Sequence, residues 1–204
     1  MKTPAALLRR VALALSLAYL SLPGLPACAA GDKNDCQSGA REEAVVSTEQ
    51  RPNGHKWVKA KILINASPHV VWETIHEERK KDPDLAYSKI ISQDSDTQAT
   101  LEQKFCLIPV IGTSTCVMRN IEVPLERIDY NMIRSDRFKA FEGSWVLSPG
   151  TQPNETLLEL SSYTDMGLPI PRGMVEGITS KKLQRRLANV KAMAEAEQTR
   201  LAKK

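Results

Sequence analysis

The sequence predicts an α+β fold: a strongly curved antiparallel sheet of about six or seven strands wrapped around one long C-terminal helix, with a short helix after the first strand. Three observations predict it. Between residues 57 and 163, apolar side chains alternate in runs separated by short turns rich in Gly, Pro and Asn. From 171 to about 201 the apolar residues recur instead at helical spacing. After the first alternating run stands one segment with helix start and stop signals of its own.

In "WVKAKILINA", Val58, Ala60, Ile62 and Ile64 share one face and Lys59 and Lys61 the other, the period of a half-buried strand. "SPHVVWETIHEERKK" reads as a helix. Ser67 suits the N-cap, Pro68 the first turn, and Val71, Trp72 and Ile75 fall on one side. "DPD" ends it, because the residue before a proline resists helical geometry. "YSKIIS", "ATLEQKFCLI", "STCVMRNIEV" and "RIDYNMIRSD" are strand-like, with short turns that favour antiparallel pairing. A last hairpin carries Phe141, Gly143, Trp145 and Leu147 on one arm and Thr156, Leu158 and Leu160 on the other. In the closing helix Met174, Ile178, Leu183, Leu187, Val190 and Ala194 form the apolar stripe, and Gly173 and Gly177 loosen its start. Only that helix is large enough to cover the sheet. A straight helix touches a twisted sheet along part of its length, so the rest of the interface is expected to stay open as an apolar cavity.

The chain before residue 57 stands apart. Residues 1–29 combine a basic start (Lys2, Arg9, Arg10), the uncharged run "VALALSLAYLSL", a Pro–Gly break and the small residues of "ACA", which together read as an export signal. Cys28 has two readings. As the cysteine of "LPAC" it is a lipidation candidate that tethers the protein to a membrane; within "ACA" it lies beside an ordinary cleavage point, and the protein is soluble. Residues 30–56 are polar without a periodic apolar face and read as a leader or tether, with room for one short ordered piece near Ala44 to Val46. The ligand-binding domain is then 57–204, located in the bacterial periplasm or outside the cell. The chain has 28 Lys and Arg against 24 Asp and Glu. Without the three basic residues of the signal, 25 stand against 24, so no nucleic-acid partner is expected. No segment is long enough for an internal membrane span.

Three stretches carry a family resemblance. "ILINASPHVVWETI" resembles the first strand and helix of the START-like superfamily, also described as the polyketide cyclase and coenzyme Q-binding (SRPBCC) group. "FEGSWVLSPG" with "ETLLELSSY" is similar to its late hairpin, and "GLPIPRGMVEGITSKKLQRRLANVKAMAE" to its closing helix. The resemblance spans about 57–198 and implies a helix-grip fold with a hydrophobic ligand cavity. It leaves the ligand open, since members bind sterols, lipids, quinones and hormones and some are enzymes.

The candidate ligand-binding residues are Phe105, Val117, Arg119, Phe141, Trp145, Tyr163, Met174 and Ile178; the large apolar ones are equally suited to plain core. Arg119 is expected on the inward face of its strand with Thr115, Val117, Ile121 and Val123. There it would anchor a ligand carboxylate or phosphate, pair with an internal acid, or reach the cavity mouth. Cys106 and Cys116 flank a hairpin tip centred near Ile111 and form a disulfide candidate, the other reading being two thiols. Cys36 has no evident partner. His69, Glu73 and His76 share a helix side but sit among Glu77, Glu78, Arg79 and Lys80, so they read as a solvated face and no metal is expected. "KKLQRR", 181–186, reads as a solvated basic face, or as a contact for anionic lipid headgroups. Serine-hydrolase, zinc-protease, P-loop and CxxC motifs are all missing. The expectation is therefore an exported, monomeric, non-enzymatic carrier of a hydrophobic small molecule, without cofactor. A cyclase or aromatase using the same cavity, drawing on Arg119, Tyr130 or Tyr163, and a filled-core protein-interaction module are the alternatives.

Overall fold

The computed structural model describes residues 43–106 and 112–203. The signal segment, Cys28 and Cys36 lie outside the described residues. The elements are β1 (Val45–Gln50), β2 (Lys56–Ile64), α1 (Pro68–Lys80), β3 (Leu85–Ser95), β4 (Gln98–Cys106), β5 (Thr113–Val123), β6 (Arg127–Ser135), β7 (Ala140–Pro149), β8 (Thr156–Asp165) and α2 (Arg172–Ala202). All strand pairs are antiparallel, in the order β1-β2-β8-β7-β6-β5-β4-β3.

The helix-grip arrangement is as expected, with eight strands in place of six or seven. The added strand is β1, taken from the segment read as a leader. It pairs with β2 from Val45↔Lys61 to Gln50↔Lys56. As an edge strand it buries little, so it shows no apolar period. Ala44, just before it, is buried, and its carbonyl accepts from Gln184 of α2 at 3.3 Å.

One row of side chains crosses the middle of the sheet: Ala60 opposite Leu160, Leu160 opposite Trp145, Trp145 opposite Ile128. All four are at most 1% exposed. Leu183, Leu187, Val190 and Ala194 of α2 close over this row, joined by Val71 and Ile75 of α1. Burying such side chains contributes about 1.5–3 kcal/mol each and holds the helix in the cup. α1 starts where expected, with the Ser67 hydroxyl accepting from the Val70 amide and Pro68 in the first turn.

α2 lies against β2 and β8, touches β1, and packs on α1; it has no comparable contact with β3–β6. The grip is therefore one-sided. The part of the concave face formed by β3–β6 has no long helix packed along it.

The disulfide is not formed. Cys106 pairs opposite Thr113, and Cys116 opposite Gln103. The two cysteines are thus out of register by three residues, about 10 Å along a strand, and Cys106 is exposed while Cys116 is buried. A disulfide needs α-carbons within about 7 Å.

Candidate functional site

Four spaces lie along the concave face, each sharing lining residues with the next. The first, about 250 Å³, lies at the start of α2, between Val58, Ser162 and Thr164 on the sheet, Met166, Leu168 and Ile170 on the connecting loop, and Val175 and Thr179 on the helix. A Lys56–Glu176 ion pair of 2.7 Å crosses it. Deeper in, about 80 Å³ is lined by Phe105, Phe138, Phe141, Met166, Ile178 and Leu183, with Asp82 and Arg186 at its margin. A third space of about 50 Å³ shares Phe105, Phe141, Tyr130, Asp82 and Arg186 with the second, and adds Trp145, Arg79, Asn120 and Gln103. Those last three also line the fourth, an open cleft of about 470 Å³ between the end of α1 and strands β3–β5.

The inner walls are aromatic. Phe105 meets Phe141 edge-on at 5.2 Å and Phe138 edge-on at 6.2 Å, and Tyr130 lies 5.6 Å from Phe141. Gly143 makes this possible. It is paired opposite Tyr130, and a Cβ there would stand 2.1 Å from the Tyr130 hydroxyl and 2.3 Å from the Ser161 carbonyl. The ring therefore crosses β7 at the one residue without a side chain. Its hydroxyl donates to the Ser161 carbonyl at 3.4 Å, and burial raises its pKa.

A charged network forms the floor between the third and fourth spaces. Arg186 of α2 donates to both Glu78 oxygens of α1, at 3.0 and 2.7 Å, lies 3.3 Å from Asp82, and stands over the Trp145 ring at 5.0 Å. Burial opposes its charge, but Glu78 and Asp82 outweigh burial and push its pKa up. Arg79 is different. Its single acceptor among the described residues is Glu122, at 3.2 Å, and burial, reinforced by the nearby positive Arg186, pulls its pKa down. The second Glu122 oxygen lies 3.5 Å from His76 Nε2, and burial is the main cause of a lowered His76 pKa.

Of the residues singled out in the sequence, Phe105, Phe141, Trp145 and Ile178 line these spaces. Three others line none of them, and Tyr163 reaches only the edge of the first. Arg119 is exposed on the opposite face of β5, whose inward residues are Ser114, Cys116, Met118 and Asn120. Val117 is buried on the Arg119 side and lines none of the spaces described. Both faces of β5 carry apolar side chains, so alternation alone does not choose between them. Tyr163 borders the first space, but its ring stacks on His55 at 4.0 Å, on the outer face with Trp57. Met174 is 55% exposed. The buried stripe of α2 runs Thr179, Leu183, Leu187, Val190, Ala194, and extrapolates back to Val175. The 178-to-183 step in the sequence pattern carried the phase one residue off.

Arg79, Arg186, Glu78 and Asp82 were not foreseen as site residues. Arg186 lies three residues after Leu183 and four before Val190, which puts it on the buried stripe; that spacing was the available signal. It removes Arg186 from the solvated face expected for 181–186.

Solved structures with the same architecture are numerous. A START superfamily protein from Mycobacterium smegmatis superposes with a TM-score of 0.56 at 20% identity, over 72% of this chain and 99% of that one. The fold is START-like. Human StAR-related lipid transfer protein 5 gives 0.57 at 16% identity, over 79% of this chain and 89% of that one. The Zhui aromatase/cyclase from Streptomyces sp. R1128 gives 0.53 at 14%, over 72% and 94%. By sequence, no family model and no curated protein matches the chain. Proteins of this fold thus include a lipid-transfer protein and an aromatase/cyclase on one scaffold.

Proposed function

We propose that the protein holds a hydrophobic small molecule, a lipid, isoprenoid or quinone-like compound, between the concave sheet and α2. One observation carries the reading: an aromatic-lined passage with Phe105, Phe138, Phe141 and Met166 on its walls continues into wider openings at both ends. The inner spaces, about 80 and 50 Å³, are small for a lipid tail. Loading therefore widens them by moving the start of α2 and the loop before it, where Gly173 and Gly177 have open surroundings. Apolar burial, about 25 cal/mol per Å², drives binding. The START-like lipid-transfer neighbour supports the same reading by analogy of fold.

The test is native mass spectrometry of gently purified protein, followed by delipidation and titration with a fluorescent apolar probe. A co-purified hydrophobic molecule and saturable probe binding at the passage are expected. A protein that is ligand-free and refuses the probe ends the reading.

We also propose that the carrier is monomeric and acts after export, on the strength of the signal-like residues 1–29, either soluble or tethered through Cys28. Loss of membrane association in Cys28→Ser separates the two forms.

A second reading has one observation in its favour. Glu122 is an inward carboxylate 3.5 Å from His76 beside a cleft, and a cyclase-type enzyme needs a positioned base. Chemical conversion of a bound polyketide-like compound, blocked by His76→Asn, favours the enzyme; its return unchanged favours the carrier.

A further inference from the structure

Two inward polar groups at the junction of cleft and passage have hydrogen-bonding capacity that the protein does not use. The first is Arg79. A guanidinium offers five N–H donors in a fixed fork. Arg186, which shares the lining of the inner space, is held by two acids, with Nε and Nη2 donating to Glu78 and Nη1 3.3 Å from Asp82. Arg79 has one bond, to Glu122, and its remaining donors have no protein acceptor among the described residues. Glu122 is itself shared with His76. The second group is Asn120. It is 6% exposed, projects inward from β5, lines both the inner space and the cleft, and its side-chain amide has no hydrogen-bond partner among the described residues. The free donors of Arg79, whose side chain is 21% exposed, and the Asn120 amide open on the cleft, where a ligand or water takes the place of a protein partner. A half-compensated guanidinium and an unpartnered amide facing one gap call for the same thing: an acceptor-rich group between them.

The surroundings define the rest of the molecule. On one side of Arg79 the passage is aromatic, through Phe105, Phe141 and Trp145. On the other the cleft is open and wide enough for a polar head, with Ile90 and Leu101 on its wall. Lys80, on the same rim, pairs outward with Glu77 at 2.8 Å, which leaves Arg79 as the inward cation.

We infer that the outer cleft receives the acidic head of an amphiphile, a carboxylate or a phosphate, held by Arg79 and Asn120, while the apolar tail follows the aromatic passage. This rests on the carrier reading above and narrows its ligand from hydrophobic molecules in general to acidic amphiphiles. It also moves the anionic anchor from Arg119, which faces outward, to a residue on α1.

The experiment compares cis-parinaric acid with its methyl ester on the delipidated full-length protein. Displacement by hexadecanoic acid, hexadecyl phosphate and hexadecanol then tells the head groups apart. The acid is expected to bind about 10- to 100-fold more tightly than the ester, in line with charge-assisted hydrogen bonding. Arg79→Met removes the preference, weakening the acid far more than the ester. Asn120→Leu weakens the acid and changes folding stability little, because its side-chain amide opens on the cleft and makes no hydrogen bond within the described residues. Glu122→Gln, which removes the competing carboxylate, strengthens the acid. Whichever of hexadecanoic acid and hexadecyl phosphate displaces better identifies the oxyanion. Equal binding of acid and ester by the wild-type protein overturns the head-group assignment and leaves the carrier reading standing. Failure of every probe to bind overturns both. If Arg79→Met does not fold, the acid–ester comparison in the wild type and in Asn120→Leu still decides.

Discussion

Arg186 of α2 clasps Glu78 of α1 across the two helices, with donors at 2.7 and 3.0 Å and side chains only 18% and 4% exposed. The pair ties the short helix to the long one at the floor of the passage, and Asp82 adds a second acid at 3.3 Å. Removing one member of a buried pair strands the other. Arg186→Met is therefore expected to destabilise the fold by about 3–5 kcal/mol, and Arg186→Met with Glu78→Leu by clearly less. Urea unfolding of the two singles and the double measures the coupling. Additive losses would show that the clasp is not an energetic unit.

Gly143 supports a different prediction, because its lack of a side chain is what admits Tyr130. Gly143→Ala forces a methyl group to within 2.1 Å of the Tyr130 hydroxyl and 2.3 Å of a backbone oxygen. The backbone oxygen has nowhere to go, so the cost is about 1–3 kcal/mol, and Tyr130→Phe in the same chain restores only part of it. Near-UV circular dichroism reads the displaced ring directly. A Gly143→Ala protein with wild-type stability and an unchanged aromatic spectrum would falsify this account of the inner wall.

The glycines at the start of α2 invert that logic. Nothing lies within 4 Å of a Cβ built at Gly173 or Gly177. Alanine there meets no obstacle and gains helix propensity, so each substitution should stabilise the fold by about 0.5–1 kcal/mol. If this turn is the gate, the double alanine variant also loads and releases a fluorescent apolar probe more slowly, at little change in affinity. Stopped-flow exchange checks it, and unaltered rates in a stabilised variant would place the gate elsewhere.

These residues also mark how far sequence reasoning reaches here. Where one face of an element is apolar and the other charged, the reading was sufficient. Lys59 and Lys61 fix the phase of β2, Ser67 and Pro68 fix the start of α1, and Trp145 lies on the inward face as expected. Where both faces are mixed, it was not. β5 carries Val117 and Ile121 on one side and Cys116 and Met118 on the other, so Arg119 was assigned inward on a pattern with two solutions. β1 is legible only through its partner, since an exposed edge strand needs no apolar face. The floor of the passage is a tertiary product. Arg79, Glu122 and Arg186 come from three elements, and nothing local in "EERKK", "NIEV" or "LQRRL" reports that they meet.

His76 gives the fold a pH dependence whose direction is set by its surroundings. It lies edge-on to Trp72 at 5.2 Å, faces Glu122 on β5, and has Glu73, Arg79 and Lys80 around it on α1. Burial, aided by Arg79 and Lys80, outweighs the two acids and lowers its folded pKa below the ordinary 6.5. The unfolded chain, with His76 near its ordinary value of about 6.5, therefore takes up the proton first as pH falls. Above that pH the residue costs nothing; as pH drops through about 6.5 and on through the folded pKa, stability is lost. Carboxylates held low, such as Glu155 and Asp136, add stability above their ordinary values of 4.5 and 3.8 and lose it only as pH falls from there through their folded values, below the range in which His76 is read. Urea midpoints measured between about pH 7.5 and 5 should fall for the wild type and fall less for His76→Asn. Parallel curves for the two proteins would mean that the imidazole titrates as it does in water, and that the cleft beside Glu122 is wetter than its side chains indicate.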